Sequence, residues 1–426
     1  MKRAKWVALL ALGAALQITA ASRAAATETD ARFDRGIAVT AMAWAAVEPD
    51  TKAFTFPPFV GSPYTLTPDE LQALRRTGFD FIRLAVDPGP FLQFQGTRRA
   101  AVDRMLAERV QLILASGLGV IVDFHPSDVH PDYTAQALTA GLQTPTFQSY
   151  LQLLYDTAAQ LGEMRSKRVA LELMNEPPIA PGLWQPMLEA AYAAARAGSP
   201  QLPLILEGGD EASAAALMKM KTTPFVADPA VRFAFHYYDP YQFTHQGAAW
   251  NAARYLADVP YPARARPLDD SLTASAAMIA AQNLSAPEKS LAFQDAQTRL
   301  RDYRASAFDA GTITKSFARI ADWARSQGIR PERVMLGEFG ARQTALQLAG
   351  ARARERTQWF HDVSQAAEAN GFGWAVWAYR SAGGFGLARS DTDGDIQPDI
   401  VEALRLKVGT GKGDAGSAAH AARPMP

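Results

Sequence analysis

The sequence predicts an α/β protein, a single (β/α)8 or TIM barrel with an extended insertion between the sixth strand and its following helix. Three observations carry that expectation. Short apolar runs recur at Gly36–Met42, Phe79–Val86, Gly119–Phe124, Val169–Met174, Leu202–Leu206, Val231–Phe235, Val334–Leu336 and Phe372–Trp377. They are rich in Val, Ile, Leu and Phe and do not alternate with polar residues, as expected of parallel strands covered on both faces. Helix-like segments separate them in strict alternation, which favours a barrel over two nucleotide-binding halves. No glycine-rich phosphate loop follows any of the runs.

The helices announce themselves by their ends. Thr67-Pro68-Asp69-Glu70 supplies an N-cap, a proline at the first position and a capping-box acid, and that helix runs to Gly78. Further helices are expected at Arg98–Ser116, Thr146–Leu161, Trp184–Ala197, Ala212–Met220, Ile313–Gln327, Arg352–Ala369 and Asp399–Leu406. Gly78, Gly117, Gly162, Gly198, Gly328 and Gly371 follow six of the helices, where a left-handed C-cap favours glycine. Almost 80 residues lie between Phe235 and the helix near Ile313, including the Pro/Arg-rich Pro260–Pro267 and an Ala-rich helical stretch, about Leu272–Ala307. A connection of that length predicts a functional insertion, placed at about residues 245–310.

The chain ends and the composition bound the class. Lys2, Arg3 and Lys5 precede an apolar run from Trp6 to Leu16, and small residues including Ala24-Ala25-Ala26 follow. That order predicts a signal peptide over residues 1–26 and export to the periplasm or the medium. The run is too short for a membrane anchor, so no membrane association is expected after cleavage. The barrel is expected over residues 27–408 and a disordered tail over 409–426. The chain of 426 residues has 43 basic and 43 acidic residues and no cysteine. No charged field is available for nucleic acid, and disulfides, thiolate nucleophiles and cysteine-bound metals are excluded. Without its leader the chain keeps 39 basic against 43 acidic residues, a balance that suits a neutral ligand. A monomer without cofactor is expected.

In a barrel the C-terminal ends of the strands build the site. Those ends carry Arg83, Asp123, His125, Asn175, Glu176, His236, Tyr238, Glu338, Trp377 and Tyr379. Glu176 stands in Leu173-Met174-Asn175-Glu176-Pro177-Pro178, and Glu338 lies between Gly337 and Gly340. Taken singly, Glu176 reads equally well as a helix N-cap or a surface acid. Together, two carboxyls at the mouths of strands four and seven can flank one glycosidic bond and hydrolyse it.

Six motifs now stand in order: Phe81-Ile82-Arg83-Leu84, Asp123-Phe124-His125, Met174-Asn175-Glu176-Pro177, His236-Tyr237-Tyr238, Gly337-Glu338-Phe339-Gly340 and Trp374-Ala375-Val376-Trp377. With them the chain resembles a secreted member of glycoside hydrolase family 5, of the endo-β-1,4-glucanase (cellulase) type, over residues 33–405. The resemblance implies that Glu176 is the acid/base and Glu338 the nucleophile of a retaining reaction on β-glucan. It implies that Asn175 bonds the sugar 2-hydroxyl and that Arg83 and Tyr238 hold Glu338. It also implies that His125 and His236 line the cleavage subsite and that Trp377 is the stacking platform. An arginine beside Glu338 is expected to lower its pKa, and the surroundings of Glu176 to raise its own. Many relatives carry a histidine or asparagine after the third-strand histidine, whereas Pro126 stands here, so His130 is the expected substitute. Trp44 is a candidate stacking residue, and His245 is expected to be structural.

Three rival readings are weaker. A metal-dependent hydrolase using His125, His236, Asp123 and Asp239 lacks any His-x-His or His-Glu-x-x-His spacing. Asp391-Thr392-Asp393-Gly394-Asp395 hints at a calcium loop but places Arg389 where the first acid belongs. An inactive carbohydrate-binding barrel would be expected to have lost one of the glutamates. Within the family, a mannanase or another β-glycanase is the alternative to a glucanase.

Overall fold

The protein is described from a computed structural model that covers residues 33–61, 64–343, 350–380, 383–389 and 394–406. The expected signal peptide, the tail and Asp391–Asp393 of the acidic loop lie outside these residues.

Eight strands form one closed barrel in sequence order: β1 (Arg35–Met42), β2 (Phe81–Val86), β3 (Gly119–Phe124), β4 (Val169–Glu172), β5 (Leu204–Glu207), β6 (Val231–Tyr237), β7 (Val334–Phe339) and β8 (Gly373–Val376). Every neighbouring pair is parallel, and β8 closes onto β1. Each predicted run holds a strand, with ends that differ by a few residues. The main helices are α1 (Pro68–Thr77), α2 (Gly96–Ala115), α3 (Pro145–Glu163), α4 (Pro181–Gly198), α5 (Leu268–Ala280), α6 (Ala286–Ser306), α7 (Ala310–Ser326), α8 (Ala353–Ala369) and α9 (Pro398–Ala403). The capping box of α1 forms as the sequence predicts: Thr67 accepts from the Glu70 N–H, and the Glu70 carboxylate accepts from the Thr67 N–H at 2.7 Å.

Successive side chains of a strand point to opposite faces, so every second residue enters the barrel. The lower interior layer is Phe33, Phe81, Ile121, Ala170, Ile205, Ala234, Met335 and Ala375, all buried in one apolar cluster. Two residues further along four of these strands come Arg83, Asp123, Glu172 and Glu207, and on β6 comes His236. All five are buried. The barrel therefore carries an apolar plug with a charged layer directly above it.

Two local expectations need correction. Ala212–Met220 is not one helix. Asp210, Glu211 and Ala212 are left-handed, with φ near 54–55°, and two single turns, Gly209–Ala212 and Ala214–Leu217, flank Ser213. The Asp210 and Glu211 N–H groups donate to the carbonyls of Ile179 and Pro177, which ties this segment to the loop bearing Glu176. Of the six glycines, Gly78, Gly117, Gly328 and Gly371 have positive φ, as a left-handed cap requires. Gly162 and Gly198 do not; a side chain on them would meet Ser199 and the Tyr155 backbone, so they permit close packing of α3 on α4. The Leu272–Ala307 stretch is likewise two helices, α5 and α6, the second opened by a Ser285–Glu288 capping box. The insertion is clamped to α8: Asp258 binds Arg352 at 2.6 Å and Arg266 at 2.9 Å, and Arg266 binds Glu355 at 2.7 Å.

Gly198→Ala forces a Cβ into the Tyr155 carbonyl and should destabilise by about 1–3 kcal/mol. Gly182→Ala, a helical site with open space, should stabilise by about 0.5–1 kcal/mol. Urea midpoints of the two variants check the pair, and equal effects would contradict the packing argument.

Candidate active site

The site grows from Arg83. Its guanidinium is fully buried, which costs several kcal/mol unless every donor is paired. Nε and Nη2 donate to the two Glu172 oxygens at 2.8 and 3.0 Å, a bidentate pair. Nη2 also reaches Asn175 Oδ1 at 2.9 Å and Asp123 Oδ2 at 3.1 Å, while Nη1 donates to Glu338 Oε1 at 2.5 Å. Burial alone would push the guanidinium down, but Asp123, Glu172 and Glu338 hold it firmly protonated. In return, Arg83 outweighs burial at Glu172 and keeps that carboxyl below the usual range. At Asp123 burial wins, and the carboxyl is pushed up.

Glu338 reaches this layer through a bulge. Phe235 pairs with Leu336, yet His236 pairs with Glu338, so Gly337 is an extra residue on β7. The additional residue swings the Glu338 side chain inward. A side chain at Gly337 would press on the His236 ring, about 3.1 Å from the new Cβ. The second Glu338 oxygen accepts from the Tyr238 hydroxyl at 2.8 Å.

Glu176 follows β4 with φ 46°, a strained conformation for a non-glycine residue. Its N–H donates to Glu207 Oε2 at 2.7 Å, and its Oε1 lies 2.8 Å from His236 Nδ1. The side chain is 35% exposed at the floor of the cleft, so the carboxyl is open to a ligand. Burial pushes its pKa up, but the hydrogen bond and charge of His236 outweigh that, and the net direction is down. This overturns the expectation of a raised value. His236 moves the other way: burial lowers it, and Glu207, Glu338 and Glu176 raise it far more.

Around the acids stands an aromatic wall. His125 is held by Asp123 at 2.9 Å and stacks on Trp377 at 5.3 Å with a 7° angle between the rings. Trp44, 43% exposed, meets Trp377 edge-on at 6.3 Å. These residues, with Glu176, His236, Tyr238 and Glu338, line a cleft of about 650 Å³. Tyr241, His245 and Trp250 line its far end, so the start of the insertion is part of the cleft wall. His245 stacks on Tyr241 at 3.9 Å, and burial lowers its pKa to about 3, so its ring is neutral.

The structure thus brings together Arg83, His125, Asn175, Glu176, His236, Tyr238, Glu338, Trp377 and Trp44. His130 is not among the cleft-lining residues; it stacks against Phe54 at 5.2 Å and accepts the Asp132 N–H. Sequence reasoning passed over Glu172 and Glu207. Both sit within or beside apolar runs, where a lone acid two residues beyond an interior position is itself the signal.

Two triads, Glu172–Glu207–His236 and Glu176–His236–Glu338, bring ligand atoms within 4.8 Å of one another. Arg83 already binds both Glu172 oxygens and Glu338 Oε1, which sets a fixed positive charge beside each triad where a cation would have to sit. The donors present do not suit a resident metal ion.

Replacing Arg83 by Met leaves Asp123 and Glu172 buried without their cation and should cost about 3–5 kcal/mol at neutral pH. In the wild type, the low Glu172 pKa stabilises the fold at neutral pH, and that contribution is lost as pH falls through the depressed value. Without Arg83 the folded state binds protons more tightly instead. The stability gap between variant and wild type should therefore narrow from pH 7.5 to 5.5 in urea titrations; a constant gap would contradict the assignment.

Comparison with known proteins places this geometry. The family model described as cellulase (glycosyl hydrolase family 5) matches residues 44–383. Endoglucanase 3 of Fibrobacter succinogenes is 24% identical over 219 residues, covering 47% of this chain and 32% of that protein. Cellodextrinase A of Ruminococcus flavefaciens is 23% identical over 184 residues, covering 43% of this chain and 54% of its own length. The chain thus spans well under two thirds of these curated relatives. Among solved structures, the cellulose synthase subunit Z of Clostridioides difficile superposes with a TM-score of 0.61 at 19% identity, covering 87% of this chain and 99% of that one. Thermotoga maritima Cel5A in complex with cellobiose gives 0.60 at 18%, covering 88% and 98%. These two show the shared barrel. With the family model matched over most of its length, the chain belongs to the cellulase family, glycosyl hydrolase family 5.

Proposed function

We propose that the chain is an exported, retaining endo-β-1,4-glucanase in which Glu338 is the nucleophile and Glu176 the acid/base. One observation supports the reading above the others. A Glu176 oxygen and a Glu338 oxygen lie within 4.8 Å of one another across the cleft. Retaining glycosidases hold their carboxyls about 5–5.5 Å apart, whereas inverting ones leave about 6.5–9.5 Å for a water between them. The spacing supports direct attack by a carboxylate.

In the first step Glu338 attacks the anomeric carbon while the proton shared by Glu176 and His236 passes through Glu176 to the leaving oxygen. Arg83 and Tyr238 direct the two Glu338 oxygens, so the carboxylate needs little reorganisation on the way to the covalent intermediate. In the second step Glu176 takes a proton from water, which displaces Glu338. Trp377, backed by His125, offers a flat face for the sugar at the cleavage point. The leader-like N-terminus supports export, where a polymeric substrate is met.

Glu338→Gln should abolish release of reducing ends from carboxymethyl-cellulose while circular dichroism stays unchanged; ample hydrolysis by the variant would refute the nucleophile. With Glu176→Ala, added azide should restore cleavage of an activated β-glucoside and give the β-azide, whereas an α-azide would mean inversion. A panel of β-glucan, mannan and xyloglucan, run with and without chelator, should show glucan cleaved best and the rate unchanged by chelation.

A further inference from the structure

Glu207, at the end of β5, has no place in the double displacement, yet its fully buried side chain contacts both the backbone and the proton partner of Glu176. Its Oε2 accepts the Glu176 N–H at 2.7 Å. Its Oε1 lies 2.8 Å from His236 Nε2, a close ion-pair contact not aligned as a hydrogen bond, and both atoms are buried without a hydrogen-bond partner. The other ring nitrogen, Nδ1, lies 2.8 Å from Glu176 Oε1 and 3.7 Å from Glu338 Oε2. Three groups thus stand in a row: Glu207, His236, Glu176.

We propose that Glu207 is a positioning residue that fixes the tautomer of His236 and so decides whether Glu176 carries a proton, an inference that rests on the acid/base role given to Glu176 above. A carboxylate at Nε2 keeps a proton on that nitrogen. The neutral ring then turns a bare Nδ1 toward Glu176, which meets it as a carboxylic acid. The alternative form has the proton on Nδ1 and an ionised Glu176. The row carries the same two protons and the same charge in both forms, so the exchange moves one proton along one hydrogen bond. In the acid form the Glu176 O–H bond breaks, an O–H bond forms on the glycosidic oxygen, and the bond from that oxygen to the anomeric carbon breaks. Water later returns a proton to Glu176, and the row is restored. An imidazole whose far nitrogen is held by a buried acid works the same way in acyl-transfer triads, where the amide analogue of the acid imposes the wrong tautomer.

Other charges act on the row from every side. Glu172 on β4 and burial push the Glu207 carboxyl up, opposed by His236. Arg83 Nη2 stands 3.8 Å from Glu207 Oε1, and the Tyr150 hydroxyl on α3 lies within its field. Glu338 faces Nδ1, while His125 and Arg83 add positive potential at Glu176.

Glu207→Gln separates tautomer control from packing. The amide oxygen still accepts the Glu176 N–H, but its NH2 group faces Nε2 and forces the ring proton to Nδ1. Glu176 is then held as a carboxylate. General acid catalysis supplies about 10²–10⁴, so kcat/KM on β-glucan and on aryl glycosides of poor leaving groups should fall at least about tenfold. A 2,4-dinitrophenyl glycoside, which needs no protonation, should keep its rate within about threefold. The alkaline limb of kcat/KM against pH should move to lower pH. Equal losses on both substrates, or an unmoved alkaline limb, would overturn the proposal and leave Glu207 as packing alone. A second measurement needs no foldable variant: ¹⁵N spectra of the wild type, with His236 assigned by its loss in His236→Asn. They should show Nε2 protonated throughout about pH 5–8. A neutral ring protonated on Nδ1 would refute the inference by itself. A wild type that cleaves neither glycoside would refute the glycanase reading instead, while the tautomer result would still decide the role of Glu207.

Discussion

The site depends on one buried guanidinium. Arg83 gathers Glu172 from β4, Asn175 from the loop after it, Asp123 from β3 and Glu338 from β7 around a single planar fork. A lysine offers one point charge and no fork, so it cannot fix four partners in four directions. Removing a buried charge from water is expensive, and only this complete set of acceptors makes it tolerable. Strands far apart in sequence are thereby held in one register at the level where chemistry is expected. The surrounding acids then differ by environment: Arg83 holds the Glu172 carboxyl low, while burial pushes the Glu207 carboxyl up against the pull of His236.

The barrel was legible because its strands are continuous apolar runs and its helices carry explicit caps, as Thr67–Glu70 shows. What escaped was the inward period of two. Reading Val169–Met174 as uniformly buried hid the fact that Ala170 and Glu172 share one face and Leu171 the other. Only the identity of the interior neighbours, Arg83 and Asp123, makes a glutamate there stable, and those neighbours lie about fifty or ninety residues away. The segment after β5 escaped for a related reason. Ala212–Met220 has the composition of a helix, but its backbone donors are drawn to carbonyls of the Glu176 loop instead. Long-range partners override local propensity in both cases.

The candidate site was legible at the strand ends and less so in its loops. Arg83, His125, Asn175, Glu176, His236, Tyr238, Glu338 and Trp377 each stand at or just beyond a strand terminus, where position follows from the barrel itself. His130 lies in a loop, and its aromatic neighbours Phe54 and Tyr133 hold it away from the cleft lining. The pKa of Glu176 runs against expectation because that expectation came from the acid's role in the reaction, without the imidazole beside it.

The bulge at Gly337 adds a consequence for how such a site can change. On a strand the face a residue occupies is set by counting, not by chemistry, and Gly337 is the residue that alters the count. With Gly337 kept but paired as an ordinary ladder residue, every catalytic side chain would remain in the chain yet Glu338 would turn to the helix-facing side of β7. Its chemistry is thus separated from silence by one skipped pairing, a step no substitution at Glu338 itself can imitate.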